Sequence, residues 1–214
     1  MITIEKLVVG SVMTNCYIIY DEAEKDALVV DPGAAAGKIA EKIRERKLHL
    51  RGILLTHGHF DHILAADDVR REFGVKLFCS VEEKELAADP CLNAGQQFGC
   101  ARGVLADETF TDGEILTFGA LTVRVIATPG HTGGGVCFYF EPEGVLFSGD
   151  TLFFESVGRT DFPTGNAGVL ADSIREKLFS LPGQTQVFPG HGPATNIAYE
   201  KENNAYVNEE GYLY

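Results

Sequence analysis

Four apolar runs in this chain end on turns that carry imidazole or carboxylate. GILL at 52–55 leads into THGHFDH, LTVRVIA into TPGH, VLF into SGD, and QVF into PGH. Short runs rich in β-branched and aromatic residues, closed by glycine or proline, read as buried strands. A polar turn that leaves such a strand is anchored by buried backbone. Four strands ending in the same chemistry therefore ask for a layered, sheet-based core with its polar turns gathered along one edge.

The turns supply seven oxygen or nitrogen donors: His57, His59, Asp61, His62, His131, Asp150 and His191. Five of the six histidines are spent this way. The sixth, His49, lies in KLHL with no glycine turn beside it and is expected to ligate nothing. Imidazole and carboxylate are the donor set of zinc and its divalent neighbours. Seven donors exceed one tetrahedral ion and suit two ions that share a bridging carboxylate and a bridging water.

Around these turns the chain alternates strand and helix signals. ITIEKLVVG, NCYIIY and ALVVDPG are strand-like, and Ile39, Ala40 and Ile43 recur at helical spacing within 37–46. A second helix is expected over 62–73, with Ile63, Ala66 and Val69 on one face. VKLFCS reads as a strand and VEEKELAAD as a short helix. Residues 90–108 lack periodicity and read as a long functional loop. Strands resume after Asp112-Gly113 with EILTF, LTVRVIAT, VCFYF and VLFSGD. Helices over 168–181 and 198–207 flank a last strand, QVFPG. The order implies an α/β chain with two sheets and helices packed outside them, read as a single domain over 1–214.

A formal net charge of −13 argues against nucleic acid as a partner, because phosphate binding rests on lysine and arginine patches. It does not exclude an anionic small substrate, since a buried cation reverses the local field. Glu5 and Lys6 interrupt the first ten residues, and no run is long enough for a membrane span. Five scattered cysteines without a C-x-x-C pair suit a reducing compartment. The expectation is a cytoplasmic protein with no membrane partner, and the sequence leaves its oligomeric state open. Cys16 and Cys137, inside strand runs, read as core residues.

THGHFDH, TPGHT, SGDTLF and PGHG, in this order, resemble the metallo-β-lactamase superfamily. The resemblance spans nearly the whole chain and implies an αββα sandwich with a metal site at one edge of the two sheets. Carried over by motif, His57, His59 and His131 would hold one ion, and Asp61, His62 and His191 a second, with Asp150 bridging. The cofactors implied are two divalent ions, zinc first, with iron or manganese as alternatives.

β-Lactamases with a similar H-x-H-x-D-H motif generally lack the bridging aspartate. VGRTDFP at 157–163 looks like glyoxalase II-related hydrolases and their persulfide dioxygenase cousins, and PGHGPATNIAYEKENN resembles the short, single-domain hydrolases among them. That resemblance implies a thioester hydrolase acting on substrates such as S-lactoylglutathione through a bridging hydroxide, with Asp61 orienting that hydroxide. A mononuclear iron persulfide dioxygenase, a lactone hydrolase or a metal-binding module without thioesterase activity are the alternatives. True glyoxalase II carries a C-terminal helical domain that meets the glutathione carboxylates. Here 23 residues follow His191, with one lysine and no arginine, so that contact is not expected. Arg159 reads either as a substrate contact or as a salt-bridge partner of Asp161. Asp31 either orients a ligating histidine or caps its own turn.

Overall fold

The computed structural model describes residues 1–207. The first sheet begins with β1 (Ile2–Val9), β2 (Thr14–Asp21) and β3 (Asp26–Val30). Helix α1 (Ala36–Glu45), strand β4 (His49–Leu54) and the short helices α2 (Phe60–Ile63) and α3 (Ala66–Phe73) follow. Strand β5 (Leu77–Ser80), helix α4 (Lys84–Ala88) and strand β6 (Glu108–Phe110) complete this half.

The second half holds β7 (Ile115–Phe118), β8 (Leu121–Ala127), β9 (Val136–Phe140) and β10 (Val145–Gly149). A two-strand hairpin, β11 (Leu152–Phe153) and β12 (Ser156–Val157), leads to helix α5 (Ala167–Asp172) and a π-helical turn, Ser173–Leu178. Strands β13 (Gln186–Pro189) and β14 (Thr195–Asn196) and helix α6 (Ile197–Asn203) close the described chain.

Two six-stranded sheets result, ordered β1-β2-β3-β4-β5-β6 and β14-β13-β10-β9-β8-β7. β3, β4, β5 and β6 run parallel, and so do β10 and β13, while the other pairings are antiparallel. Strand alternation sorts side chains into layers. Along β2, Cys16, Ile18 and Tyr20 face outward to Ile39 and Ile43 of α1 and Val69 of α3. Tyr17 and Ile19 face inward to Val123, Val125, Phe138 and Phe147 of the other sheet. Beyond the second sheet, Cys137, Tyr139 and Leu146 pack on Leu170, Ile174 and Leu178. Helices therefore cover both outer faces, and the fold is the αββα sandwich.

Four expectations change, one being that the helix expected over 198–207 ends at Asn203, because Asn204 takes an extended conformation. The helix expected over 62–73 is broken between α2 and α3, because the Ala65 amide donates to the carbonyl of Pro32 at 2.9 Å and leaves the helical ladder. The 90–108 loop contains a 3₁₀ turn, Gly95–Phe98, and gives way at Glu108 to β6, which pairs with β5. The helix expected over 168–181 changes pitch at Ser173, whose hydroxyl donates to the Pro129 carbonyl at 2.8 Å.

The space between the sheets is filled by aromatic rings. Phe147, fully buried, meets Tyr17 edge-on at 5.0 Å and stacks on Phe188 at 5.5 Å. Phe147→Ala is expected to cost about 3–5 kcal/mol of unfolding free energy, as truncated core phenylalanines do. Urea unfolding measures it, and a loss below about 1 kcal/mol would mean that the sheets do not close on this ring.

Candidate metal centre

All seven donors follow the exits of β4, β8, β10 and β13 along one edge of the sandwich, five on turns and two, Asp61 and His62, on the short helix α2. They fall into groups whose donor atoms lie within 4.8 Å of one another: His57, His59 and His131 in one, and Asp61, His62 and His191 in another. Asp150 stands between them. Its Oδ1 is 3.5 Å from His62 Nε2, and its Oδ2 is 3.5 Å from both His131 Nε2 and His191 Nε2. Asp61 Oδ2 lies 3.4 Å from His62 Nε2 and 3.3 Å from His191 Nε2. His49 is exposed at the start of β4, far from the turn that begins after that strand, and belongs to none of these groups.

Hydrogen bonds on the far side of each ring decide which nitrogen faces inward. Asp31 Oδ2 lies 3.0 Å from His62 Nδ1 and also accepts from the Thr56 hydroxyl at 2.6 Å. Since that hydroxyl donates to Asp31, it accepts from His57 Nδ1, 3.1 Å away. The Arg159 carbonyl accepts from His131 Nδ1 at 2.6 Å. In their neutral forms these three imidazoles carry the proton on Nδ1 and leave the Nε2 lone pair free for a metal. Asp31, Thr56 and Arg159 all act through their neighbours here.

Asp31 orients His62, and its Oδ1 accepts from the Thr56 amide at 2.8 Å, a tie to the turn beyond β4 rather than a cap on its own turn. It holds φ at 50°, in the left-handed region that non-glycine residues avoid and that functional sites tolerate. A third group, Asp31 with His57 and His62, also clusters. It uses the Nδ1 faces already committed to hydrogen bonds.

Do the residues fit a cation? His62 Nε2 and Asp150 Oδ1 are buried without a hydrogen-bond partner and face each other. His131 Nε2 is 2.9 Å from His59 Nδ1 and 3.3 Å from His57 Nε2, so three ring nitrogens converge on one point. Both features suit a bound positive charge, and the donor set fits divalent ions.

The electrostatics agree. Burial works to keep His62 neutral, yet Asp61, Asp150 and Asp31 around it push its pKa up to about 10. Burial, reinforced by the neighbouring His131, takes His59 down to about 3. Burial would raise Asp61, but His62, His191 and the Thr14 hydroxyl hold it well below the usual carboxylate range.

Two supports escaped the sequence reading. The Thr14 hydroxyl, at the start of β2, donates to Asp61 Oδ2 at 2.6 Å. Glu83, buried before α4, accepts from the Gly58 amide at 3.0 Å with one oxygen and the Gly134 amide at 2.9 Å with the other. It thus ties the His57/His59 turn to the turn that follows His131. Burial raises its carboxyl to about 7 against the pull of those amides. Gly58 has no room for a side chain, since a Cβ would come within 2.7 Å of Ala87. Neither support carries a sequence signal: Thr14 resembles any strand residue, and Glu83 any acidic helix residue.

A layered sandwich with converging histidines and carboxylates at its edge is the architecture of a metallo-hydrolase. The sequence matches the metallo-beta-lactamase superfamily over residues 9–191, and the chain belongs to that superfamily. It is 37% identical to hydroxyacylglutathione hydrolase GloC of Haemophilus influenzae, over 97% of this chain and 99% of the relative. The crystal structure of BLEG-1 B3 metallo-beta-lactamase superposes with a TM-score of 0.92 at 38% identity, covering 96% and 99% of the two chains. ETHE1 from Myxococcus xanthus gives 0.80 at 30% identity, covering 98% and 86%. TTHA1623 in a di-iron-bound form gives 0.85 at 31%, covering 94% and 99%.

Glu83→Ala leaves two buried amides unpaired, at about 1–3 kcal/mol each. The expected outcome is lowered stability in urea together with faster metal loss to a chelator. Unchanged chelator kinetics would show that the two turns hold their positions without Glu83.

Proposed function

We propose that the chain is a dinuclear metal-dependent hydrolase that cleaves small thioesters of the S-acylglutathione kind, S-lactoylglutathione among them. The observation that carries the dinuclear reading is Asp150, whose Oδ2 lies 3.5 Å from His131 of one donor group and 3.5 Å from His191 of the other, while its Oδ1 faces His62. His57, His59 and His131 would hold one ion; Asp61, His62 and His191 the other; Asp150 would serve both. The likeness to GloC supports the thioester, together with VGRTDFP and the bridging carboxylate.

Two divalent ions, zinc in the first place, would lower the pKa of a shared water toward neutrality and polarise the carbonyl to be attacked. The protein's own groups then have limited tasks. Asp61, held by the Thr14 hydroxyl at 2.6 Å, would help to hold one ion and to orient the attacking water by accepting its hydrogen bond. Asp31, Thr56 and the Arg159 carbonyl keep the imidazole lone pairs aimed inward. A thiolate leaves without a strong general acid, consistent with a site in which every histidine is already committed. The opening over the site, ≈ 330 Å³ and bordered by His59, Asp61, His131 and His191, admits a small acyl group and its thiol. Arg159 also lines it, but its guanidinium is paired with Asp161 at 2.7 and 2.6 Å, so a contact to substrate would have to compete with that pair.

A second reading, a mononuclear iron persulfide dioxygenase, is favoured by the likeness to ETHE1, and BLEG-1 raises β-lactam hydrolysis. Elemental analysis of the purified protein is expected to give about two divalent ions per chain, the number that two donor triads and a bridge accommodate. Asp150→Asn should lower both occupancies together, and His49→Ala neither. One iron with no second ion would overturn the dinuclear assignment. In parallel assays, S-lactoylglutathione should turn over, a cephalosporin should turn over far more slowly, and glutathione persulfide should consume no oxygen. Oxygen uptake or faster cephalosporin cleavage would replace the thioester with the corresponding rival.

A further inference from the structure

The cavity over the donor cluster is walled by aromatic side chains held in fixed positions. Phe60 and Phe98 stack with centroids 4.9 Å apart and planes 19° apart. Phe162 meets Phe98 edge-on at 6.5 Å and His59 at 5.4 Å, which brings the wall up to the donor cluster. On the other side Phe153 lies edge-on to His191 at 6.1 Å. Phe98 is 51% exposed, although it sits in a tethered segment. Asn93, fully buried, accepts from the Gly95 amide at 2.8 Å and donates to the Arg102 carbonyl at 2.9 Å. The Asn93 carbonyl also accepts from the Phe60 amide at 3.0 Å. A large ring kept half in water at the mouth of a site has a surface to offer.

The same mouth has little to offer an anion. Among the described residues lining it, Arg159 is the one lysine or arginine. Its guanidinium lies 4.0 Å above the Phe162 ring and is clamped in a bidentate pair by Asp161. Its charge is therefore largely cancelled, and the net charge of −13 attracts no anion from a distance.

We propose that Phe98 and Phe162 are specificity-determining residues, and that among thioesters the site binds an uncharged apolar arm most tightly, S-acylglutathiones being turned over but held less tightly because their carrier is anionic. This rests on the thioester reading for the reaction but not for the binding preference. An alkyl or aryl arm would cover the exposed Phe98 ring and the accessible part of half-buried Phe162, while the carboxylates of a carrier held at the mouth, away from the donor cluster, would find only the paired Arg159 among the lining side chains.

Calorimetry with uncleavable thioethers tests it on the metal-replete protein. S-hexyl-N-acetylcysteamine should bind about tenfold or more tightly than its S-methyl counterpart, from partial burial of five extra methylenes. S-hexylglutathione should bind no more tightly than the hexyl cysteamine. Phe98→Ala and Phe162→Ala should each pull the hexyl-to-methyl ratio toward one. Ile115→Ala, which removes an exposed apolar residue on β7, should leave the ratio unchanged. Asp161→Asn frees Arg159 and should tighten S-hexylglutathione severalfold without affecting the cysteamine ligands. Equal binding of hexyl and methyl, or a ratio that survives both phenylalanine changes, overturns the assignment. So does tighter binding of the glutathione ligand to the unmodified protein. Absent thioester turnover with the binding preference intact would instead sink the proposed reaction.

Discussion

Everything at the edge of this sandwich depends on which nitrogen of each imidazole points inward. A histidine can ligate only through an unprotonated nitrogen, and in the neutral ring one of the two always carries a proton. Here the Nδ1 protons of His57, His62 and His131 are given acceptors behind the rings: the Thr56 hydroxyl, the Asp31 carboxylate and the Arg159 carbonyl. Thr56 and Asp31 sit at strand exits of the first sheet, and the Arg159 carbonyl on the loop after the β11-β12 hairpin, so two of the three positions are set directly by a sheet. The sandwich thus serves the site by holding the backs of the rings, which leaves their fronts free to converge.

Such convergence is costly to a chain without a cation. Buried polar atoms normally find partners, yet His62 Nε2 and Asp150 Oδ1 have none. Three carboxylates surround His62 closely enough to favour its protonated form in spite of complete burial. The remaining structure offsets this with apolar layers on both faces of each sheet and with supports that cross between turns. Glu83 joins two histidine turns through paired amides, and Asn15 donates to the carbonyls of Pro189 and Gly192 on either side of the His191 turn. At Gly190 a Cβ would fall 2.2 Å from Asp150 Oδ1, so the close approach of these turns requires glycine there.

The seven donors were legible in the sequence because each follows an apolar run by a few residues, and strand ends of a layered fold share an edge. The two-sheet layering followed from the same runs. What the sequence concealed are interactions between segments far apart in the chain. Thr14 meets Asp61 across 47 positions, and Glu83 meets Gly134 across 51. Local pattern also missed β6, whose three residues have one buried member and hence no period to detect. It extended the helix at 62–73 through a break that depends on Pro32, a residue from another strand exit. For Asp31 the contacts with His62 and Thr56, both from another segment, favour the orienting role, whereas Arg159 pairs with Asp161 only two residues on.

The donor turns, being the most tightly determined part of the molecule, are poorly placed to choose a substrate. The same fold carries proteins described as a β-lactamase and as ETHE1 at TM-scores of 0.92 and 0.80. Selectivity has to reside where the chain is free to differ without disturbing the sheets. Two stretches meet that condition here: the segment bearing Phe98, fastened through Asn93 but not part of either sheet, and the segment bearing Phe162, which begins just after the carbonyl that orients His131. The second stretch is doubly constrained. Its backbone at Arg159 fixes a histidine tautomer, while its side chains a few residues on shape the mouth. Changes there can couple substrate choice to metal retention, whereas changes around Phe98 can alter the mouth and leave the donor geometry intact.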